Sequence, residues 1–147
     1  MTKYILLSAA LFASVHAHGA DKGSAAATST LTRAIMCEVK NIKATAVVKA
    51  AKKLGTPRSN DPTDYTLASP ITVFGLQVNR VSITPDDGEN PASYVAVFSN
   101  AKLADIASAA KLKPLAGGFI RDAEAGRISA DVRDSTDVWI TCTPSLE

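Results

Sequence analysis

The chain has 147 residues, 46% of them apolar and 20% charged, with a formal net charge of +2 at pH 7. The length fits one domain, and the composition is that of a folded globule rather than a disordered chain. A net charge so near zero excludes a bulk field directed at nucleic acid or a membrane surface.

The N-terminus has the layout of a secretory signal peptide. Lys3 is followed by an apolar run from Tyr4 to Val15, then by small residues around Val15-His16-Ala17. The run is too short to span a bilayer, so residues 1–17 are expected to direct export to the periplasm or medium. Residues 18–33, rich in Ala, Ser and Thr, are expected to be a flexible leader. A single α+β domain is expected over 34–144.

Ile35 to Lys40 resembles a short strand. The next segment predicts a helix with Asn41 as N-cap and Gly55 as its stop. Ala44, Val47, Val48, Ala51 and Leu54 form its apolar stripe, opposite Lys49, Lys52 and Lys53. The three prolines between Gly55 and Pro70 suggest a long irregular loop with Tyr65 as its only aromatic residue. Ile71 to Thr84 is strand-like, with Gly75 marking a turn or bulge. The segment Pro85 to Pro91 is a turn, and Ser93 to Phe98 is the returning strand. A second helix is expected after Asn100, with Leu103, Ile106, Ala107 and Ala110 inward. After Gly117-Gly118, alternation at Ile128–Val132 and Val138–Cys142 predicts two strands joined by a hairpin loop at 134–137.

The resulting fold class is α+β, with two helices packed on an antiparallel sheet of about six strands. The order of elements suggests two pseudo-repeated β-α-β-β modules, 35–85 and 94–144. A gapless shift of 59 positions matches Asn41, Lys43, Ala50, Ala51, Lys52, Val73, Thr84 and Pro85 with Asn100, Lys102, Ala109, Ala110, Lys111, Val132, Thr143 and Pro144. The turn at 85–91 should put Ile83 opposite or near Ala96. The shift carries Ile83 to Cys142 and Cys37 to Ala96, so the two cysteines would form the symmetry-related cross-strand pair. In an oxidising compartment they should be disulfide-bonded.

Both histidines, His16 and His18, lie beside the expected cleavage site. The folded part therefore lacks histidine bases, Ser-His-Asp or Cys-His machinery and most zinc sites. No catalytic residue, metal or cofactor is expected. Asp131, Asp134 and Asp137, with Asp86, Asp87 and Glu89 in a turn, leave a weak calcium site or an acid–base pair open. Solvated turn chemistry accounts for the same acids. Candidate contact residues are Tyr65, Trp139, Lys49, Lys52 and Lys53. By alternation Trp139 lies on the opposite sheet face from Val138, Ile140 and Cys142. It becomes an exposed anchor if the helices cover the Cys142 face, and core if they cover its own. The narrow preference is for core.

The signal peptide, domain size and element order make the chain similar to small exported, antigenic proteins of Gram-negative bacteria. That resemblance implies a surface or secreted antigen and carries over no functional residues. The expected function is non-catalytic binding of a protein or envelope component, without nucleic acid and without spanning the membrane. Alternatives are a carboxylate-based hydrolase or lyase, and a binder of anionic envelope surfaces through the lysine-rich helix.

Overall fold

Asp21 opens the first helix, its side chain accepting from the Gly23 N–H. The structure, a computed structural model, describes residues 21–133 and 136–145. The expected signal peptide and Asp134 lie outside the described residues. Helix α1 spans Lys22–Ile35 and buries Ala27, Leu31, Ala34 and Ile35, spaced to share one face. Of the flexible leader expected over 18–33, residues 18–20 lie outside the described residues, and residues 22–33 are corrected by α1. Its inward stripe is half alanine, so the sequence shows almost no contrast between faces, while the many alanines favour a helix.

The chain does not enter a strand at Ile35–Lys40. Instead α1 closes with a Schellman motif: the Cys37 N–H donates to the Ala34 carbonyl at 3.1 Å and the Glu38 N–H to the Arg33 carbonyl at 3.0 Å. Cys37 takes the left-handed position with φ 56°, usually a glycine's. Helix α2 (Ala44–Leu54) buries Val47, Ala50 and Ala51. Its cap residue is Lys43, which makes no side-chain cap bond. Asn41, expected as the cap, instead turns the chain ahead of it with φ 54°. Helix α3 (Leu103–Ala109) begins in the same manner, with Lys102 as cap and Asn100 at φ 56°. It also ends in a Schellman motif, with Lys111 at φ 56° and bonds from Lys111 to Ser108 and Leu112 to Ala107.

The strands are β1 (Gly55–Arg58), β2 (Asp61–Val73), β3 (Leu76–Thr84), β4 (Ser93–Ser99), β5 (Lys113–Leu115), β6 (Gly118–Ala123), β7 (Gly126–Arg133) and β8 (Asp137–Pro144). They form one antiparallel sheet in the order β1-β2-β3-β4-β8-β7-β6-β5. The fold is thus α+β, but with three helices and eight strands among the described residues rather than two and about six. The expected loop over 55–70 is a hairpin. Two of its three prolines sit where a sheet tolerates them: Pro57 on the edge strand β1, Pro70 in a bulge of β2 between the Thr66↔Arg80 and Ile71↔Val78 pairs. Phe74 and Gly75, both at positive φ, make the two-residue turn into β3.

The Cys37–Cys142 disulfide is present, with Cα atoms 5.5 Å apart. Its setting differs from the cross-strand pair that the repeat suggests. Cys142 lies in β8 opposite Tyr94 and Ile128, while Cys37 sits at the end of α1. The bridge therefore ties a helix terminus to the sheet. Ile83 faces Tyr94, and Val81 faces Ala96.

All three helices lie on one side of the sheet. Helix α1 packs on α2, β2, β4 and β8, α2 on β1, β2 and β3, and α3 on β7 and β8. Val81, Ile83, Tyr94, Ala96, Ile128, Ala130, Val138, Ile140 and Cys142 point into that layer and form one core with Leu31, Ile35 and Val47. Alternation along each strand then assigns the intervening residues to a face without helices.

Candidate functional site

Strand register assembles the helix-free face into cross-strand rows. One row runs Thr66, Arg80, Val97, Trp139, Asp131 from β2 to β7. Beside it run Asp64, Ser82, Val95, Thr141 and Ser129. No helix among the described residues covers these rows, yet Val97 is only 2% exposed and Val95 4%.

The reason is the tall side chains around them. Arg80 and Trp139 are two strands apart, about 9–10 Å at ordinary strand spacing. The Arg80 guanidinium nevertheless lies 5.9 Å from the indole centroid. It reaches across β4 and roofs Val97. From β7, the Arg133 guanidinium lies 4.9 Å from the same centroid, so the indole contacts two cations through its π-system.

Carboxylates fix the cluster. Arg80 donates through Nε and Nη2 to Asp64, at 3.0 and 2.8 Å to Oδ2, and through Nη1 to Asp137 Oδ2 at 2.6 Å. The fork matches the planar guanidinium to both acids. The hydrogen bond to Asp64 is the main cause that raises the Arg80 pKa above its ordinary value; the Asp64 charge and the Asp137 contacts add to it, against the opposing effect of burial. Arg58 stands 3.9 Å from Asp64, and Arg133 is paired with Asp131 at 3.2 Å. Two buried polar atoms on this face, Trp139 Nε1 and Thr141 Oγ1, make no hydrogen bond among the described residues.

The candidate contact residues fare differently. Trp139 is half-buried on the helix-free face, because the helices cover the Cys142 side. The preference for core is corrected. Tyr65 points the other way, is 2% exposed and belongs to the helix-side core, where burial raises its pKa. It offers no contact surface, since the segment that carries it is strand β2 rather than a loop. Lys49, Lys52 and Lys53 are exposed on α2, with Lys53 3.6 Å from Asp21. They lie away from the Trp139 cluster and are not gathered with it.

Among the expected acids, Asp131 and Asp137 come to the helix-free face, each bound to an arginine. Asp86 and Asp87 accept backbone N–H bonds within their turn, from Gly88 at 2.7 Å and from Glu89 and Asn90 at 2.9 and 2.7 Å. Those bonds from Asn90 and Glu89 hold the Asp87 pKa below the ordinary carboxylate value. Among the described residues no group of three or more His, Cys, Asp or Glu side chains is placed to hold a metal ion.

Reading the sequence missed Arg80, Asp64 and Arg133. Alternation of Ser82 and Thr84 with Val81 and Ile83 gives β3 one polar face, but nothing in that pattern singles out Arg80. What joins Arg80 to Trp139 is the pairing of β3 and β8 on either side of β4, which spans almost 60 positions of chain. Compared with protein-family models, curated proteins and solved structures, the chain finds no match.

Proposed function

We propose that the chain is a non-catalytic binding protein of the bacterial envelope or secretome, and that it docks its partner on the helix-free face around Trp139. The observation that carries this reading is the Arg80–Trp139–Arg133 cluster on a sheet face that no helix of the described residues covers. Tryptophan and arginine are the residues that most often anchor interfaces. Here carboxylates hold Arg80 in place, which reduces the entropy lost when a partner orders the surface. Trp139 Nε1 and Thr141 Oγ1 lie buried beneath this cluster without a hydrogen-bond partner among the described residues.

The same contacts weigh against the hydrolase alternative. Asp64 and Asp137 share one guanidinium, so neither is a free base beside a free acid. Export fits the disulfide, which persists in oxidising compartments. Among the described residues no helix is long and apolar enough to cross a membrane. The two-module organisation belongs to this reading as well. Its support is that α2 and α3 both start three residues after a left-handed asparagine, and that these asparagines are the pair matched by the 59-position shift.

Photo-crosslinking in the producing cell tests the docking face. A photoreactive residue at Ser129, on the helix-free face, should give one dominant adduct, and one at Lys52 on α2 should not. Trp139→Ala should weaken the captured complex by a factor of about 30 or more, the effect of an interface anchor worth roughly 2 kcal/mol. Adducts from Lys52 alone would transfer the function to the lysine face and its anionic surfaces. Substrate turnover abolished by Asp131→Asn would establish the hydrolase instead.

A further inference from the structure

A cavity of about 490 Å³ opens on the helix-bearing side, at the opposite side of the sheet from Trp139. The ends of α1 and α3, the β2–β3 turn and strand β6 form it. We propose that this cavity is a binding site for a small zwitterion, an α-amino acid with an apolar side chain.

The argument begins with Arg121 on β6. It is only partly exposed, and its Nε is buried without a hydrogen-bond partner. Among the described residues its guanidinium makes no ion pair, whereas Arg80, Arg127 and Arg133 each hold a carboxylate. A half-buried, unpaired guanidinium lining a cavity is a receptor for a carboxylate, which it can grip with two parallel bonds. Three further charged side chains line the same cavity: Lys111, Glu38 and Glu124. None of them forms an ion pair among the described residues. The cavity thus offers both signs of charge, uncommitted, within a volume typical of small-molecule sites. Met36 and Phe74 supply an apolar wall.

Backbone conformation points to the same place. Among the described residues five non-glycine positions have positive φ, and three of them, Cys37, Phe74 and Lys111, line this cavity. At those helix-end and turn positions glycine or asparagine is the low-cost choice. Side chains are kept there against a conformational cost, a pattern that concentrates at functional sites. In the bound state the ligand carboxylate meets Arg121 and Lys111, its ammonium meets Glu38 and Glu124, and its side chain lies against Met36 and Phe74.

The test uses the full oxidised chain titrated with L-leucine, L-methionine and L-phenylalanine by calorimetry. At least one should saturate with a Kd of about 1 mM or tighter. N-acetyl-L-leucine and L-leucinamide, each lacking one charge, should bind at least about tenfold more weakly than the best free amino acid. Arg121→Gln should abolish saturation. If that variant fails to fold, the double change Glu38→Gln and Glu124→Gln, at two exposed positions, should cost about tenfold in affinity. No saturation by any of the three amino acids overturns the proposal. So does equal affinity for the acetylated or amidated analogue, or a double variant that binds like the parent.

Discussion

Arg80 shows how much one side chain can organise. It neutralises two carboxylates from different strands, covers Val97 and lies against the single tryptophan. Asp64 is 4% exposed, so removing it would leave a guanidinium facing a site built for an anion. Asp64→Ala is expected to destabilise the fold by about 3–5 kcal/mol, the usual result of stripping one member from a buried pair. Urea denaturation measures this, and an effect under about 1 kcal/mol would mean that Arg58 and water replace the acid without loss. That Trp139 and Cys142 lie on opposite faces of β8 was legible from alternation alone. The Arg80–Asp64 pair was not, because neither residue differs locally from any solvated strand residue.

Helix ends and turns account for most of what the sequence obscured at the next scale. Pattern reading places α2, α3, β3, β4, β7 and β8 within a few residues, since each combines a clear period with a turn signal. It loses α1 because alanine and threonine blur the two faces. It takes the β1–β2 hairpin for a loop because prolines discount strands in general, although they are admitted at edges and bulges. The Schellman ends at Cys37 and Lys111 are also hidden, because the left-handed position holds a residue other than glycine. Replacing Lys111 tests that cost directly. Lys111→Gly should stabilise the chain by about 1 kcal/mol, as the steric penalty of a left-handed side chain disappears. A drop in melting temperature would show that the lysine side chain contributes more through packing than its backbone strain removes.

The described residues form an open sheet whose two halves meet at the β4–β8 pair, with their helices on one side. Cys37 and Cys142, 105 positions apart, join the C-terminal end of α1 to a central strand. In the chain-entropy model a loop of this order stabilises the fold by up to about 4.7 kcal/mol. Reduction by dithiothreitol should therefore lower the denaturation midpoint strongly and loosen α1 first, because α1 has no strand pairing of its own. Hydrogen exchange resolved by segment checks this. Equal loss of protection in α1 and in β4 would mean that the bridge stabilises the sheet as a whole rather than pinning the helix.

The sequence by itself determined the α+β class, the pairing partners of sulfur, the absence of histidine chemistry from the region after His18, and the facing of β7 and β8. These depend on composition and on short periods, which are local quantities. Only the tertiary structure decided which side of the sheet the helices cover, and with it whether Trp139 is core or surface. That choice is made by the packing of α1, α2 and α3 against the Cys142 side. The meeting of Arg80, Arg133 and Trp139, like the isolation of Arg121 in its cavity, arises from contacts between distant segments, which no local pattern encodes.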